Sequence, residues 1–269
     1  MTDIALRIAI LGGGVMGETL AAGFLARLDP TPSVTIVEKR PERAAELADR
    51  LGVGIASMPD AVRDADVVVL AVKPQDFRAM LAELAPSLRP GVLVISIAAG
   101  IPTSVMEEHL PGVAVVRVMP NTPARINRGV AGVSGGSACT PADLDLAASL
   151  MESVGIVVRV PESLQDAVTA VSGSGPAYVF YLAEAMIAAG IDLGLTSEDA
   201  RLMAVNTILG AGELMAASNE DPAVLRANVT SPNGTTAAAI ASMDAAGVRG
   251  GVIAAMVAAR DRSIELSGS

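Results

Sequence analysis

Three glycines near the start of the chain have the spacing of a phosphate-binding turn. An apolar run ending at Leu11 leads into Gly12-x-Gly14-x-x-Gly17, and a helical pattern follows over Glu18–Leu28. In such a turn the first glycine permits the tight bend, the second lets a pyrophosphate approach the backbone, and the third lets helix and strand pack closely. The flanking patterns favour this interpretation over a turn with incidental glycines. The residues expected to contact a dinucleotide are Gly12, Gly14, Val15, Met16 and Gly17.

A carboxylate ends the second apolar run, where a bound dinucleotide would place its ribose. Glu38 closes Val34–Glu38 and lies 21 residues beyond Gly17, so it could accept hydrogen bonds from the ribose hydroxyls, which favours NADH. Lys39 and Arg40 follow directly and could contact the 2′-phosphate of NADPH. The two cations could equally be solvated charges that open the next helix. The choice between NADH and NADPH therefore stays open.

Short apolar runs alternate with helical patterns over the first part of the chain, which predicts βαβ units and a parallel sheet. After Pro161 these runs give way to alanine-rich helical periodicity. We therefore expect a Rossmann-like α/β domain, doubly wound around a mainly parallel sheet, over residues 1–161, and an all-helical domain over residues 162–269. The expected strands are Arg7–Leu11, Val34–Glu38, Val67–Ala71, Leu93–Ile97, Val113–Val118, Val130–Val133 and Ile156–Val160.

Composition restricts the classes of function. The net charge is −10, which disfavours nucleic acid as a partner, and the long apolar stretches are interrupted by polar residues, Gly or Pro, so no membrane span is expected. With one cysteine and one histidine, we expect no disulfide framework and no metal site built from His and Cys. Neither Cys139 nor His109 is expected to carry chemistry. The first residues have no signal-peptide pattern, so a cytoplasmic location is expected.

Five ordered segments carry a resemblance to a known family. They are Ala71–Gln75, Ser96–Gly100, Arg117–Pro123, Ser172–Tyr178 and Val229–Thr236. Together with the glycine turn, they closely resemble the pyrroline-5-carboxylate reductases over nearly the whole chain. The resemblance implies reduction of 1-pyrroline-5-carboxylate to proline by hydride transfer from NADPH or NADH. It also implies a homodimer or a larger homo-oligomer.

Several residues after the later strands are candidates for contact with the cofactor, because ligands bind at strand ends in open α/β sheets. Lys73 is read as a cation beside the cofactor cleft in preference to an exposed turn lysine. Pro120 and Asn121 could simply fix a loop, but the family resemblance favours positions near the nicotinamide. The full set expected from these segments is Ala71, Val72, Lys73, Pro74, Ala98, Met119, Pro120 and Asn121.

The loop Thr230–Thr236 resembles the family's substrate-binding signature. The resemblance implies that the substrate carboxylate meets backbone N–H groups at the following helix, assisted by Ser231, Asn233, Gly234 and Thr235. It also implies that Thr236 lies near the ring nitrogen and is the catalytic side chain. Many family members have two glycines here, whereas this chain has Asn233 before the glycine. Asn tolerates left-handed backbone, so we expect the loop geometry to be kept.

Two other functions must be weighed. A nicotinamide-dependent β-hydroxyacid or imine reductase with similar domains commonly carries a lysine acid/base on its second domain, but no lysine follows Lys73 in this chain. A non-catalytic NAD(P)-binding regulator would keep the glycine turn and would not need the substrate loop. The retention of Thr230–Thr236 therefore favours an enzyme.

Overall fold

The computed structural model describes residues 5–267, and in that part of the chain an eight-stranded sheet forms the centre of the N-terminal region. The sequence before Ala5, which contributed to the expectation of a cytoplasmic location, lies outside the described residues. The strands are β1 (Arg7–Leu11), β2 (Ser33–Val37), β3 (Gly54–Ile55), β4 (Val67–Leu70), β5 (Leu93–Ser96), β6 (Ala114–Met119), β7 (Gly129–Gly135) and β8 (Gly155–Arg159).

The strand order is β3-β2-β1-β4-β5-β6-β7-β8. All neighbouring pairs are parallel except β6 and β7. The order reverses between β1 and β4, which creates the crevice where such sheets bind ligands. Both β4 and β5 are buried along their whole length, as expected for strands covered on both faces. The predicted Rossmann-like fold is confirmed, and the short β3 is the strand that the sequence patterns did not indicate.

Helices cover the sheet and make up the C-terminal region. Three begin at the capping residues Thr140, Thr196 and Asp221, whose side chains accept hydrogen bonds from the first turn. The α-helices are α1 (Val15–Arg27), α2 (Pro41–Leu51), α3 (Met58–Val62), α4 (Phe77–Leu84), α5 (Thr103–His109), α6 (Pro141–Glu152), α7 (Gln165–Val168), α8 (Gly175–Asp192), α9 (Ser197–Ala217), α10 (Pro222–Asn228), α11 (Thr235–Ala245) and α12 (Val248–Ser267).

The chain forms two compact units. The first runs to Ser174 and also takes in the chain from Ala259 onward, while the second is Gly175–Ala258. Residues 162–174 thus pack with the sheet, although the sequence pattern changes from strands to helices at Pro161. The division at residues 161 and 162 stays a prediction about which segments fold as domains. In the second unit, α8 and α9 pack together, because Gly190 lets Ala200 approach closely.

Gln165 explains why the segment after Pro161 stays with the sheet. Its side chain is fully buried, and its amide donates to Ser134 Oγ at 2.8 Å and to the carbonyl of Gly132 at 3.2 Å. Both acceptors belong to β7. Amide N–H groups are costly to bury without acceptors, so these bonds hold α7 against the sheet.

A buried arginine makes a second connection to the same segment. Arg117, on β6, lies 3.4 Å from Glu162 and 4.0 Å from Asp166, and its side chain is only 5% exposed. Glu162 also accepts a hydrogen bond from the backbone of Thr103 at 2.6 Å, and Asp166 accepts one from Ser263 on α12 at 2.6 Å. One guanidinium therefore organises contacts among β6, α5, α7 and α12.

Within residues 5–267, no single helix is long and apolar enough to cross a membrane. The pair α11 and α12, bent by 52° at the break between them, passes the same test of length and composition when taken together.

Burial of the Arg117 network predicts a large stability difference between two Arg→Met substitutions. Arg117→Met leaves two partly buried carboxylates unpaired and should lower the free energy of unfolding by about 2 kcal/mol. Arg159→Met is the matched control: it breaks a 2.7 Å pair with Asp145 in which both side chains are at least half exposed, so it should cost less than about 1 kcal/mol. Denaturant unfolding at one protein concentration measures both, and equal losses would contradict the assigned role of Arg117.

Candidate functional site

The turn between β1 and α1 has the geometry of a phosphate-binding turn. Gly12 has φ +115°, and a Cβ there would lie 2.5 Å from the carbonyl oxygen of Ala71. A Cβ on Gly17 would collide with the carbonyl oxygen of Gly12. These two positions require glycine for the reasons that the sequence predicted: a backbone conformation that other residues rarely adopt, and close packing of helix on strand.

Gly14 is the N-cap of α1 and faces open space. No atom lies within 4 Å of the position that its Cβ would occupy. Because Gly14 has no side chain, the first N–H groups of α1 are left uncovered, and these groups have no partner within the helix. The space in front of them fits an anion such as a pyrophosphate.

Gly13 and Arg43 also shape this turn, although neither is among the residues that the sequence predicts to contact a dinucleotide. A Cβ on Gly13 would lie 2.6 Å from Leu47 and 3.0 Å from the carboxylate of Glu38. Arg43 donates from Nε to the Gly13 carbonyl at 3.0 Å and also pairs with Glu18. The run of three consecutive glycines was a visible signal for Gly13, but no local pattern reveals the contacts of Arg43 with Gly13 and Glu18, which are 30 and 25 residues away along the chain.

Glu38 follows β2 directly and lies beside the turn, as predicted. Its side chain is 9% exposed, and it accepts hydrogen bonds from Arg40 through the backbone N at 2.9 Å, Nε at 3.1 Å and Nη2 at 3.3 Å. The Arg40 hydrogen bonds lower the pKa of the Glu38 carboxyl, against the opposing effect of burial. The carboxylate is therefore ionised at neutral pH and paired with one arginine.

An apolar cleft of about 260 Å³ opens at the carboxyl ends of β4, β5 and β6. Most residues expected at the later strand ends line it, together with Met16 from α1. Ile97 and Ala99 line it too, on either side of the predicted Ala98. The cleft is lined by Met16, Ala71, Val72, Lys73, Pro74, Ile97, Ala98, Ala99, Met119 and Pro120.

Lys73 is the one charged residue among those lining the cleft. It caps the short helical turn Pro74–Asp76 and is exposed, and its ammonium has no carboxylate partner within the described residues. No acid or imidazole borders the cleft in the part of the chain that the structure describes. The cleft can hold a flat apolar ring, and Lys73 is its only titratable group.

Asn121 and Val15 differ from the other predicted cofactor residues. The Asn121 amide is buried: its Nδ2 donates to the carbonyl of Ser172 at 3.1 Å, and its Oδ1 accepts from the N–H of Val130 at 2.9 Å. Its side chain thus fixes the loop after β6 against the π-helical turn Thr169–Gly173. Val15 lines a separate cavity of about 430 Å³ along α1. Cofactor contact by these two residues, as by the residues of the turn and the cleft, stays a prediction.

Cys139 and His109 are the two residues to which the sequence assigns no chemical role. Burial raises the pKa of the Cys139 thiol, which lowers the fraction of reactive thiolate. His109 ends α5, and its Nδ1 is 3.0 Å from the carbonyl of Val105 in the same helix.

The predicted substrate loop forms a tight turn before α11. The N–H of Gly234 donates to the carbonyl of Ser231 at 3.0 Å, and Gly234 is the N-cap of the helix. Asn233 has φ +60° and thus adopts the left-handed backbone conformation that Asn was expected to tolerate. No side chain caps the helix start. The N–H groups of the first turn can therefore receive an anion, while Thr236 is half-buried within that turn.

Two family models match separate parts of the chain. Residues 162–266 match the model described as pyrroline-5-carboxylate reductase dimerisation. Residues 7–100 match the model described as NADP oxidoreductase, coenzyme F420-dependent. The second match covers the glycine turn, Glu38 and two of the segments that line the cleft.

Full-length relatives decide the family. The chain is 44% identical to the pyrroline-5-carboxylate reductase of Pseudomonas aeruginosa, with 97% of each chain covered. It is 41% identical to that of Corynebacterium melassecola, with 96% of this chain and 98% of the relative covered. The chain belongs to the pyrroline-5-carboxylate reductase family. The predicted family is thereby confirmed.

Solved structures of pyrroline-5-carboxylate reductases have the same fold. The structure from Coxiella burnetii superposes with a TM-score of 0.92 at 34% identity, and 98% of this chain and 99% of that chain are covered. The structure from Plasmodium falciparum, solved with NADP bound, gives a TM-score of 0.85 at 27% identity, with 97% and 98% covered. The agreement extends over nearly the whole length of both reductases.

The different surroundings of Gly14 and Gly17 predict that substitutions at the two positions have different effects. Gly14→Val should fill the open space before α1 and weaken NADH and NADPH binding by about tenfold or more, with an unfolding temperature close to wild type. Gly17→Ala should instead lower stability, on the order of 1–3 kcal/mol, because its Cβ meets the Gly12 carbonyl. Calorimetric titration and thermal denaturation measure the two effects. A folded Gly14→Val protein with unchanged affinity would remove Gly14 from the site.

Proposed function

We propose that this chain reduces 1-pyrroline-5-carboxylate to proline, using NADPH or NADH as the hydride donor. The observation that carries the proposal is the uncovered start of α11, directly after the turn Ser231–Gly234. The chain that contains it is 44% identical, over 97% of its length, to a pyrroline-5-carboxylate reductase. That turn can bind a carboxylate without an arginine. The open phosphate turn at Gly14 supports the same function, because it fits the pyrophosphate of a nicotinamide dinucleotide.

The predicted cofactor residues have separate roles in binding and orienting the dinucleotide. The N–H groups at the start of α1 receive the pyrophosphate, and Glu38 and Arg40 lie where the adenosine ribose is expected. The apolar cleft next to Met119 and Pro120 holds the nicotinamide ring. When bound, the reduced nicotinamide supplies the hydride that adds to the carbon of the substrate C=N bond.

The cleft suits a reaction that needs little acid catalysis. A protonated cyclic imine is already electrophilic, so alignment of the reacting carbons is the main requirement. The absence of any acid or imidazole among the residues described around the cleft is compatible with this demand. A β-hydroxyacid reductase would need an acid/base at the reacting oxygen, commonly a lysine of the second domain, and no lysine follows Lys73 in this chain.

The substrate loop has two proposed tasks. The N–H groups at the start of α11 and the Ser231 hydroxyl bind the carboxylate, and Asn233 gives the turn its left-handed residue. The Thr236 hydroxyl donates to, or relays a proton towards, the ring nitrogen. Exposed Ser231 is available to a ligand from solvent, while Thr236 is half-buried in the first helical turn.

We further propose a homo-oligomer that acts in the cytoplasm. The match of residues 162–266 to a dimerisation model supports the assembly. The second unit also exposes large apolar side chains such as Tyr181, Leu193 and Leu202, and apolar surface of this kind marks interaction sites. A single cysteine, with no disulfide possible within one chain, is compatible with a reducing compartment.

The decisive assay combines purified protein, 1-pyrroline-5-carboxylate and either NADH or NADPH, and follows nicotinamide absorbance together with proline formation. We expect turnover with at least one cofactor. Binding of a cofactor without turnover would instead favour the non-catalytic regulator.

Thr236 and Ser231 should separate kinetically. Thr236→Ala should lower kcat/KM roughly ten- to a hundredfold, or about 1–3 kcal/mol, if its bond to the ring nitrogen strengthens in the transition state. Ser231→Ala should chiefly raise KM, because the carboxylate contact is equal in ground and transition states. Ser242→Ala removes a hydroxyl from further along α11 and is the control. Wild-type kinetics in the Thr236→Ala protein would reject its chemical role.

Light scattering at micromolar concentration tests the assembly. We expect a mass of at least two chains, because an isolated 27.1 kDa chain would leave the apolar side chains of α8 and α9 in water. A monomer with full activity would contradict this expectation.

A further inference from the structure

A π-helical turn, Thr169–Gly173, follows α7 directly and packs against the end of β6. The N–H of Ser174 donates to the carbonyl of Thr169 at 2.8 Å, which closes the wide turn. Such turns are rare, and they frequently lie at functional sites. This one is separate in sequence from both the phosphate turn and the proposed substrate loop, so neither of those two sites accounts for it.

Contacts at both ends hold the π-helical turn in place. The buried Asn121 amide donates to the carbonyl of Ser172 at 3.1 Å and accepts from the N–H of Val130 at 2.9 Å, so it ties the end of the turn to the loop after β6. A Cβ on Gly132 would lie 2.6 Å from Cγ1 of Val168, so the residue before the turn packs directly on the backbone of β7. The turn is therefore fixed against the sheet.

Gly173 is the residue of this turn that meets the cleft wall. A Cβ on Gly173 would lie 2.5 Å from Cε of Met119 and 3.8 Å from its Cγ. Met119 ends β6 and lines the apolar cleft. Gly173 does not have a positive φ, so its backbone conformation does not require glycine. The requirement is space, because the end of the Met119 side chain lies where a side chain at position 173 would be.

We propose that Gly173 is a positioning residue: its missing side chain lets the end of Met119 lie back against the π-helical turn, which leaves room in the cleft for the nicotinamide ring. A methionine side chain is long and flexible, so a methyl group added at position 173 displaces Cε without disrupting the fold. The open space beside Met119 is the cleft, and the displaced group enters it. This inference rests on the proposed use of a nicotinamide cofactor.

Gly173→Ala and Met119→Ala form a double-mutant cycle that tests the contact. Gly173→Ala alone should weaken binding of NADPH or NADH, whichever binds more tightly, by about tenfold, because the displaced methionine occupies the place of the ring. In the Met119→Ala protein, which has no Cε to displace, the same glycine substitution should change the affinity by less than about twofold. Nicotinamide fluorescence gives the dissociation constants of all four proteins.

ADP-ribose separates placement of the ring from binding of the rest of the cofactor, because it lacks the nicotinamide. Its 2′-phosphorylated form is the matched probe if NADPH binds more tightly than NADH. Calorimetric titration should give the same affinity for this probe, within about twofold, in the wild-type and Gly173→Ala proteins, since the phosphate turn at Gly14 is unchanged. A purely structural effect of the substitution would instead lower the affinities for probe and cofactor together.

The outcomes separate this inference from the proposed function. Unchanged cofactor affinity in Gly173→Ala, an equal loss of affinity for cofactor and ADP-ribose, or the same loss with and without the Met119 side chain overturns the role of Gly173 and leaves the function standing. Failure of the wild-type protein to bind either nicotinamide cofactor overturns both. Thermal denaturation confirms that each variant is folded before its affinities are compared.

Discussion

The contact between Gly17 and the carbonyl of Gly12 sets the position of α1 against the sheet, and the cofactor end of the first unit depends on it. A single methyl group at Gly17 would push the helix away from the turn. The uncovered N–H groups after Gly14 would then no longer lie at the crevice between β1 and β4. Arg43 reinforces the arrangement, because it holds the Gly13 carbonyl from α2. Backbone N–H groups thus form the anion site, and the glycines leave it open because they have no side chains.

Charge around this anion site is balanced within the chain. Glu18 and Glu38 both lie close to the turn that we propose receives a pyrophosphate, and two unpaired acids in such a place would repel it. Each carboxylate is paired with an arginine, Glu18 with Arg43 and Glu38 with Arg40. Pairing removes most of the repulsion and keeps the carboxylates as hydrogen-bond acceptors. An acidic chain with net charge −10 can in this way bind an anionic cofactor.

The proposed substrate loop applies the same physical principle in the second unit. A turn closed by the Gly234 N–H and the Ser231 carbonyl delivers the chain to the start of α11 with its N–H groups uncovered. Asn233 supplies the positive φ that the turn needs. Neither the loop nor the cleft contains a strong acid or base apart from Lys73. Such a chain suits chemistry in which position and electrostatics matter more than proton transfer.

The sequence by itself determined the Rossmann-like fold, the family, and the positions of the three spaced glycines and Glu38 beside the first turn. Each of these depends on a local pattern: the alternation of strand and helix, the glycine spacing or the order of the motifs. The ends of the predicted strands differ from those in the structure by only one or two residues. Tertiary structure decided the rest. The pairing of Arg43 with Glu18 and the partners of Arg117 and Gln165 span at least 25 residues along the chain, so no local pattern reveals these contacts. The inward turn of the Asn121 amide and the pairing of Arg40 with Glu38 also required the packed structure, because a sequence specifies which groups can bond but packing selects which of them meet.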